Sequence, residues 1–318
     1  MPVLIDGHNH VGVELQAYLR GHYPYAQTLP DMVGQGTALG VTHWVAFPMV
    51  SHFGMDLAAL QRGSVEPDAR LQTAPYAFEN RRLQEELHLL CPHLLGRVFP
   101  FAMVDPLRAT REQAAELRRL RERYPIYGLK VQASMLQAPA LSLLGPGRVL
   151  LELAEEWDLP LVVHTAVYPG DPWSQPDDLL RVADAAPRVR FCLGHACRFD
   201  RPSLDRIAQS PNLWFDCSAH VIQCRLAVQG SPHVAPQGRR FEADYTRPEQ
   251  VLRGLAEAYP GKLVWGSDSP YYTYVDADLA LWSDYAAEAA CLHALPEPIR
   301  TAVGCRNALG CFRLPVEE

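Results

Sequence analysis

His8 and His10 are one residue apart in the run Asp6-Gly7-His8-Asn9-His10, directly after the apolar Val3-Leu4-Ile5. Side chains of an extended segment alternate between faces, so a strand through these residues puts Asp6, His8 and His10 on one face. Two imidazoles pointing the same way can share a metal ion. An HxH pair alone is commonly no more than two loop or surface histidines, so a metal reading needs partners from elsewhere in the chain. Three stand at the ends of other apolar runs: His164 in PLVVHTA, His195 in VRFCLGH and Asp268 in KLVWGSD. Two or three histidines, one carboxylate and a position left for water are what a catalytic divalent site requires.

Residues this far apart in sequence meet only if the ends of their strands converge. Eight apolar, β-branched runs alternate with segments of helical period: 3–8, 41–48, 96–103, 126–133, 160–166, 189–195, 212–218 and 262–268. Near-continuous apolar strands between helices imply a parallel sheet covered by those helices. The helical segments carry their own signals. Leu83, Leu87 and Leu90 share a face in 78–91, and 110–124 opens on Thr110 with Glu112 in its first turn. Pro176 before Asp177 and Asp178, and Pro248 before Glu249, read as first-turn prolines with acids at the positive end of the helix dipole. A long helix is expected over 277–295 and a terminal one over 298–312.

An uninterrupted series of strand–helix pairs, with no GxGxxG turn after the first strand, predicts an α/β fold of the (β/α)8 barrel type, one domain over residues 1–318. The segments after strand C-termini are long (11–30, 49–77, 167–175 and 219–247), which is where a barrel builds its binding site. Tyr23, Tyr25, His52, Phe53, Trp173, Arg225, Arg239 and Arg240 lie in them as candidate lid or substrate contacts, or as ordinary loop surface.

Composition excludes several classes. With 29 basic and 36 acidic residues and a net charge of −7, the chain has no electrostatic footprint for nucleic acid or an anionic membrane. No apolar run reaches the roughly 20 residues of a membrane span, and no secretory leader is expected. Eight cysteines without CxxC pairs read as free or buried thiols, so a cytoplasmic location is expected. The expected partner is a small-molecule substrate. A homodimer is left open.

The motifs IDGHNHVG (5–12), PFAMVDP (100–106), LVVHTA (161–166), CLGHACR (192–198), WGSDSPY (265–271) and RNALGCF (306–312) span nearly the whole chain. Together they resemble the amidohydrolase superfamily, in its amidohydrolase-related (amidohydrolase 2) branch of metal-dependent hydrolases and decarboxylases. The resemblance implies that His8, His10, His164 and Asp268 hold one divalent ion, zinc or alternatively manganese, with His195 beside it to orient or protonate substrate. A bound divalent cation acidifies its water and polarises a substrate oxygen, and Asp268 is then the acceptor of the water's proton. Binuclear relatives bridge two metals with a carboxylated lysine near the end of the fourth strand. Lys130 in GLKVQ invites that reading, but it sits mid-run, and Gln132 departs from the family pattern.

Arg198, His220, Tyr271 and Lys130 are candidate substrate contacts. Arg198 has the fork to hold a carboxylate, or else pairs with Asp200 on the surface. His220, Tyr271 and Lys130 are candidates to face the pocket, and Tyr272 to line the cleft. Cys192, Cys197 and Cys217 read as small buried hydrophobes. Two reactions use the same ligands: hydrolysis of a carbonyl, lactone or amide bond in a small, acidic substrate, and non-oxidative decarboxylation of an aromatic or unsaturated acid. A non-catalytic zinc-binding protein is the third reading.

Overall fold

A computed structural model describes residues 2–21, 25–71, 73–275 and 280–317. Tyr23 lies outside them. Each apolar run contains a strand shorter than the run itself, except the first, which extends further: β1 (Ile5–Val13), β2 (His43–Pro48), β3 (Val98–Pro100, resuming at Ala102–Met103), β4 (Leu129–Val131), β5 (Leu161–Val163), β6 (Phe191–Leu193), β7 (Leu213–Asp216) and β8 (Leu263–Val264). Each pairs in parallel with the next. At the break in β3, Phe101 N donates to Ala46 O at 2.9 Å and carries the sheet across.

The ring closes between β8 and β1. Gly7 N donates to Trp265 O (3.0 Å), Asp268 N to His8 O (2.9 Å) and His10 N to Ser269 O (2.7 Å), around a parallel bridge between Asn9 and Ser269. The protein is thus an α/β barrel of the TIM type.

Alternation along the strands sorts side chains into two layers. Leu129, Val131, Leu161, Val163, Phe191, Leu193, Leu213 and Phe215 join the core between sheet and helices. Ile5, Val45, Phe47, Phe99, Phe101, Val162, Cys192 and Val264 form the core inside the barrel, with Phe312 of the last helix against Phe101. Lys130 and Asp216 fall on the inward parity, and both are fully buried.

The helices Pro176–Ala185 and Pro248–Ala258 begin on proline with acids in the first turn, as expected. Thr110 is the first residue of its helix rather than its cap; Ala109 takes the cap position in left-handed backbone, and Thr110 Oγ1 donates to Pro146 O at 2.5 Å. Of the helix expected over 277–295, residues 277–279 lie outside the described residues, and the helix observed starts later. Tyr274–Val275 and Ala280–Leu281 pair as an antiparallel hairpin, and Asp284, whose side chain accepts from Ala287 N, starts the helix at Tyr285–His293. All eight cysteines are free and buried. Among the described residues no helix is long and apolar enough to cross a membrane.

Candidate metal centre and its cavity

Strict alternation along β1 fails at the place that matters. Its pairing with β2 shifts register between Asp6 and Asn9. A bulge of this kind turns a side chain off its expected face. Asp6 therefore does not share a face with the histidines: its carboxylate accepts from Tyr285 Oη (2.5 Å) and Ser267 N (2.9 Å), on the helix side. His8 turns inward instead, alongside His10. Glycines permit the crowding on both sides. A Cβ on Gly7 would lie 2.9 Å from Val264 Cγ1 and 3.0 Å from Trp265 O, and one on Gly266 would lie 2.7 Å from His8 Cβ.

His8, His10 and Asp268 come together, each offering a donor atom within 4.8 Å of the others. His8 Nε2 lies 3.4 Å and His10 Nε2 3.8 Å from Asp268 Oδ1. The far nitrogen of each ring is occupied: His10 Nδ1 is 2.9 Å from Pro48 O, and His8 Nδ1 is 2.9 Å from Asp216 Oδ2. A carbonyl only accepts, so His10 carries its proton on Nδ1 and points a lone pair from Nε2 at Asp268. The Asp216 carboxylate does the same for His8. Burial alone would raise the Asp216 pKa, yet its contact with the His8 ring, with His195 and Lys130 nearby, holds it far below the usual carboxylate range. Ligating imidazoles are oriented this way by outer acceptors, so the donor set fits a divalent ion.

Burial holds the pKa of His10, His164 and His195 well below the ordinary value, helped by neighbouring positive charge, so these rings are neutral at pH 7. Asp268 is raised to about 6, by burial first and by Asp216, against the pull of His8 and Lys130. The Lys130 ammonium stands 2.9 Å from His8 Nε2 and 4.9 Å from the centre of the Phe47 ring, and burial lowers its pKa to about 8.

The second cluster rests on an unusual turn. From His195 to Phe199 the backbone is left-handed, with φ between 47° and 64°, in five residues that all carry a Cβ. Such a turn costs roughly 1–2 kcal/mol per residue. Hydrogen bonds hold it in place: His195 N to Asp216 Oδ1 (3.1 Å), Ala235 N to Arg198 O (2.9 Å) and Phe241 N to Phe199 O (2.9 Å). It aims His195 and Arg198 back into the barrel mouth. His195 Nδ1 stands 3.8 Å from Asp268 Oδ2 and 3.0 Å from Ser218 O. Its Nε2 is 2.9 Å from His164 Nδ1, and Arg198 Nη2 donates to His164 Nε2 at 3.1 Å. His164 thus lies beside His195 and Arg198, outside the three-residue donor group. Arg198 is not paired with Asp200, whose carboxylate is taken by Arg239 (2.9 Å) and by Ser203 of the following helix. Backbone at the ends of β7 and β8 is also left-handed, at Ala219 and Asp268. Strain of this sort gathers at functional sites.

A cavity of about 660 Å³ opens over both clusters, lined by His8, His10, Lys130, His164, His195, Arg198, Asp268 and Tyr271 among others. Tyr271 lies edge-on to His10 (5.0 Å) and donates to Glu14 Oε2 at 2.7 Å. His220 is turned away: it opens the helix His220–Val228, its Nε2 is 2.8 Å from Pro248 O, and it is not on the cavity wall. Tyr272 reaches Gln35 outside this cavity. Of the loop residues singled out from sequence, Tyr25 lines the cavity. His52 is buried against Tyr76, Phe53 packs on Phe78, and Trp173 packs on the helix-side core. Arg225 donates to Trp282 O and Arg240 to Ala235 O and Ala227 O. Sequence reading missed Asp216, whose signal was its inward parity in NLWFDCS, and Gln223, which carries no motif.

Among the described residues, the barrel gathers one cluster of divalent-ion donors at its mouth. The chain belongs to the amidohydrolase family, whose model matches residues 5–314. No curated protein matches it. Among solved structures it is similar to an amidohydrolase from Burkholderia multivorans with bound HEPES, at 17% identity over 98% of this chain and 100% of that one, TM-score 0.61. A dihydroxybenzoic acid decarboxylase from a Polaromonas species, solved with manganese and 2-nitroresorcinol, shares 15% identity over 100% and 98%, TM-score 0.62. The dihydroorotase of Campylobacter jejuni shares 14% over 100% and 85%, TM-score 0.59.

Proposed function

We propose that this enzyme is a metal-dependent hydrolase of a small, carboxylate-bearing organic substrate, with zinc as its ion and manganese as the alternative. The observation that carries the reading is the convergence of His8 Nε2 and His10 Nε2 on Asp268, each ring having its other nitrogen engaged by an acceptor. His8, His10 and Asp268 would hold the ion. His164 joins them only if its contacts with His195 and Arg198 open. The ion supplies Lewis-acid polarisation of a substrate oxygen and a more acidic water.

The chain's own residues supply the rest. Asp268, neither strongly acidic nor fully basic, accepts a proton from attacking water and returns it to the leaving group. Arg198, anchored by Thr165 O at 2.8 Å, presents its guanidinium to a substrate carboxylate. His195, backed by Ser218, orients the reacting group. Tyr25, Tyr271 and Met135 on the wall exclude water.

A second reading, decarboxylation of an aromatic or unsaturated acid, is favoured by that same apolar and aromatic lining, since loss of CO2 is easier where the carboxylate is poorly solvated. Then His195 or Asp268 protonates the carbon that loses CO2. Metal-loaded protein should release one proton per lactone opened, and free amine from amides. CO2 from salicylate-like or muconate-like acids, with no turnover of the first group, would select the second reading.

A further inference from the structure

The cavity wall carries a polar group that neither donor cluster uses. Gln223 lies in the helix His220–Val228, which follows the left-handed turn at the end of β7, and the residue is 3% exposed. It lines the cavity with Ile222 and Leu226 of the same helix. Its Oε1 has no hydrogen-bond partner. Two other amides on the wall are committed: Gln132 Oε1 accepts from Met135 N (2.8 Å), and Gln137 accepts from Val65 N (3.2 Å) and donates to Gly63 O (2.8 Å). Among the described residues, the other buried atoms without partners, on His52, Gln84 and His88, belong to residues that do not line this cavity.

A buried acceptor without a donor is costly, and native structures leave few of them. On a residue of the cavity wall with apolar neighbours, such an acceptor is completed when a ligand brings the donor. We infer that Gln223 is a specificity-determining residue, its carboxamide oxygen receiving the hydroxyl proton of a hydroxylated carboxylic acid. The inference rests on the functional reading above, because Arg198 takes the carboxylate of the same molecule. A site built to bond a hydroxyl rejects the analogue lacking it, since the buried acceptor then stays unpaired.

The test is a binding measurement on zinc-loaded protein by calorimetry, with matched acids: benzoate against 3- and 4-hydroxybenzoate, and glutarate against 3-hydroxyglutarate. The wild-type protein is expected to bind at least one hydroxylated acid about 10-fold or more tighter than its partner, the size of one good hydrogen bond. Gln223→Leu and the closer-shaped Gln223→Met are expected to abolish that preference while leaving affinity for the unhydroxylated acid within about 2-fold. Their ligand-free melting temperature should be unchanged or higher, because an unpaired amide has been removed. Equal affinity for both members of every pair, or equal loss for both with a lowered melting temperature, would overturn the inference and leave the hydrolase reading intact. If wild-type protein binds none of the acids, the functional reading fails and takes this inference with it.

Discussion

Asp216 Oδ2 stands 2.9 Å from His8 Nδ1, and through this bond strand β7 decides which nitrogen of His8 faces the cavity. The same carboxylate, through its other oxygen, accepts from His195 N and Ser218 N, so one residue supports both histidine clusters. Asp216→Asn removes the charge and lets the amide donate toward His8. Its metal affinity should fall about 10- to 100-fold, with a matching loss of kcat/KM, as for other outer-sphere partners of ligating histidines. Titration with a competing chelator measures it. An unchanged affinity would show that β1 orients His8 unaided.

Gly266 allows β8 to pass against His8. In Gly266→Ala the added Cβ would lie 2.7 Å from His8 Cβ and 3.1 Å from His8 N, with no flexible side-chain end to give way. A loss of about 1–3 kcal/mol in stability is expected from such overpacking, together with weaker metal binding. Denaturant melts of metal-free and metal-loaded protein separate the two effects.

Lys130 tests the ion count. Its ammonium faces His8 Nε2 at 2.9 Å, the nitrogen assigned to the ion. If one ion is bound by His8, His10 and Asp268, Lys130→Met should keep a stoichiometry near that of the wild type while losing activity through substrate binding. A wild-type stoichiometry of two that falls in the variant would instead make Lys130 a bridging, modified ligand.

Glu288 gives a pH prediction away from the donor cluster. It is buried, accepts from Ser283 Oγ (3.0 Å) and Val221 N (3.2 Å), and burial raises its pKa from 4.5 to about 8. Because the folded-state pKa is raised, the folded protein binds the proton more tightly than the unfolded chain. The resulting stability is complete below about pH 4.5 and is lost as pH rises through about 8. Glu288→Gln, a mimic of the protonated acid, should therefore gain melting temperature relative to wild type between pH 5.5 and 8.5. A difference that does not grow with pH would show that Glu288 is charged in the fold.

The eight strands, their parallel order and the gathering of His8, His10, His195 and Asp268 at one mouth were legible because period and composition are local properties. What escaped was set by neighbours. The register shift in β1 depends on its pairing with β2, so Asp6 was placed on the wrong face. His164 stands where expected along β5, but the left-handed turn at His195–Phe199, which no residue type announces, brings His195 and Arg198 against both its nitrogens. His220, a candidate to face the pocket, is instead turned to Pro248 O by the helix it opens. Asp216 acts by orienting another residue and Gln223 by lacking a partner, and neither property is written in a motif.

His8, His10 and Asp268 are proposed to hold one divalent ion. Elemental analysis of protein purified without chelators, beside the His8→Ala/His10→Ala double variant, tests it most directly. The expected result is about one ion per chain in the wild type and essentially none in the folded double variant. Metal-free wild-type protein with full activity, or a double variant that keeps its ion, would contradict it.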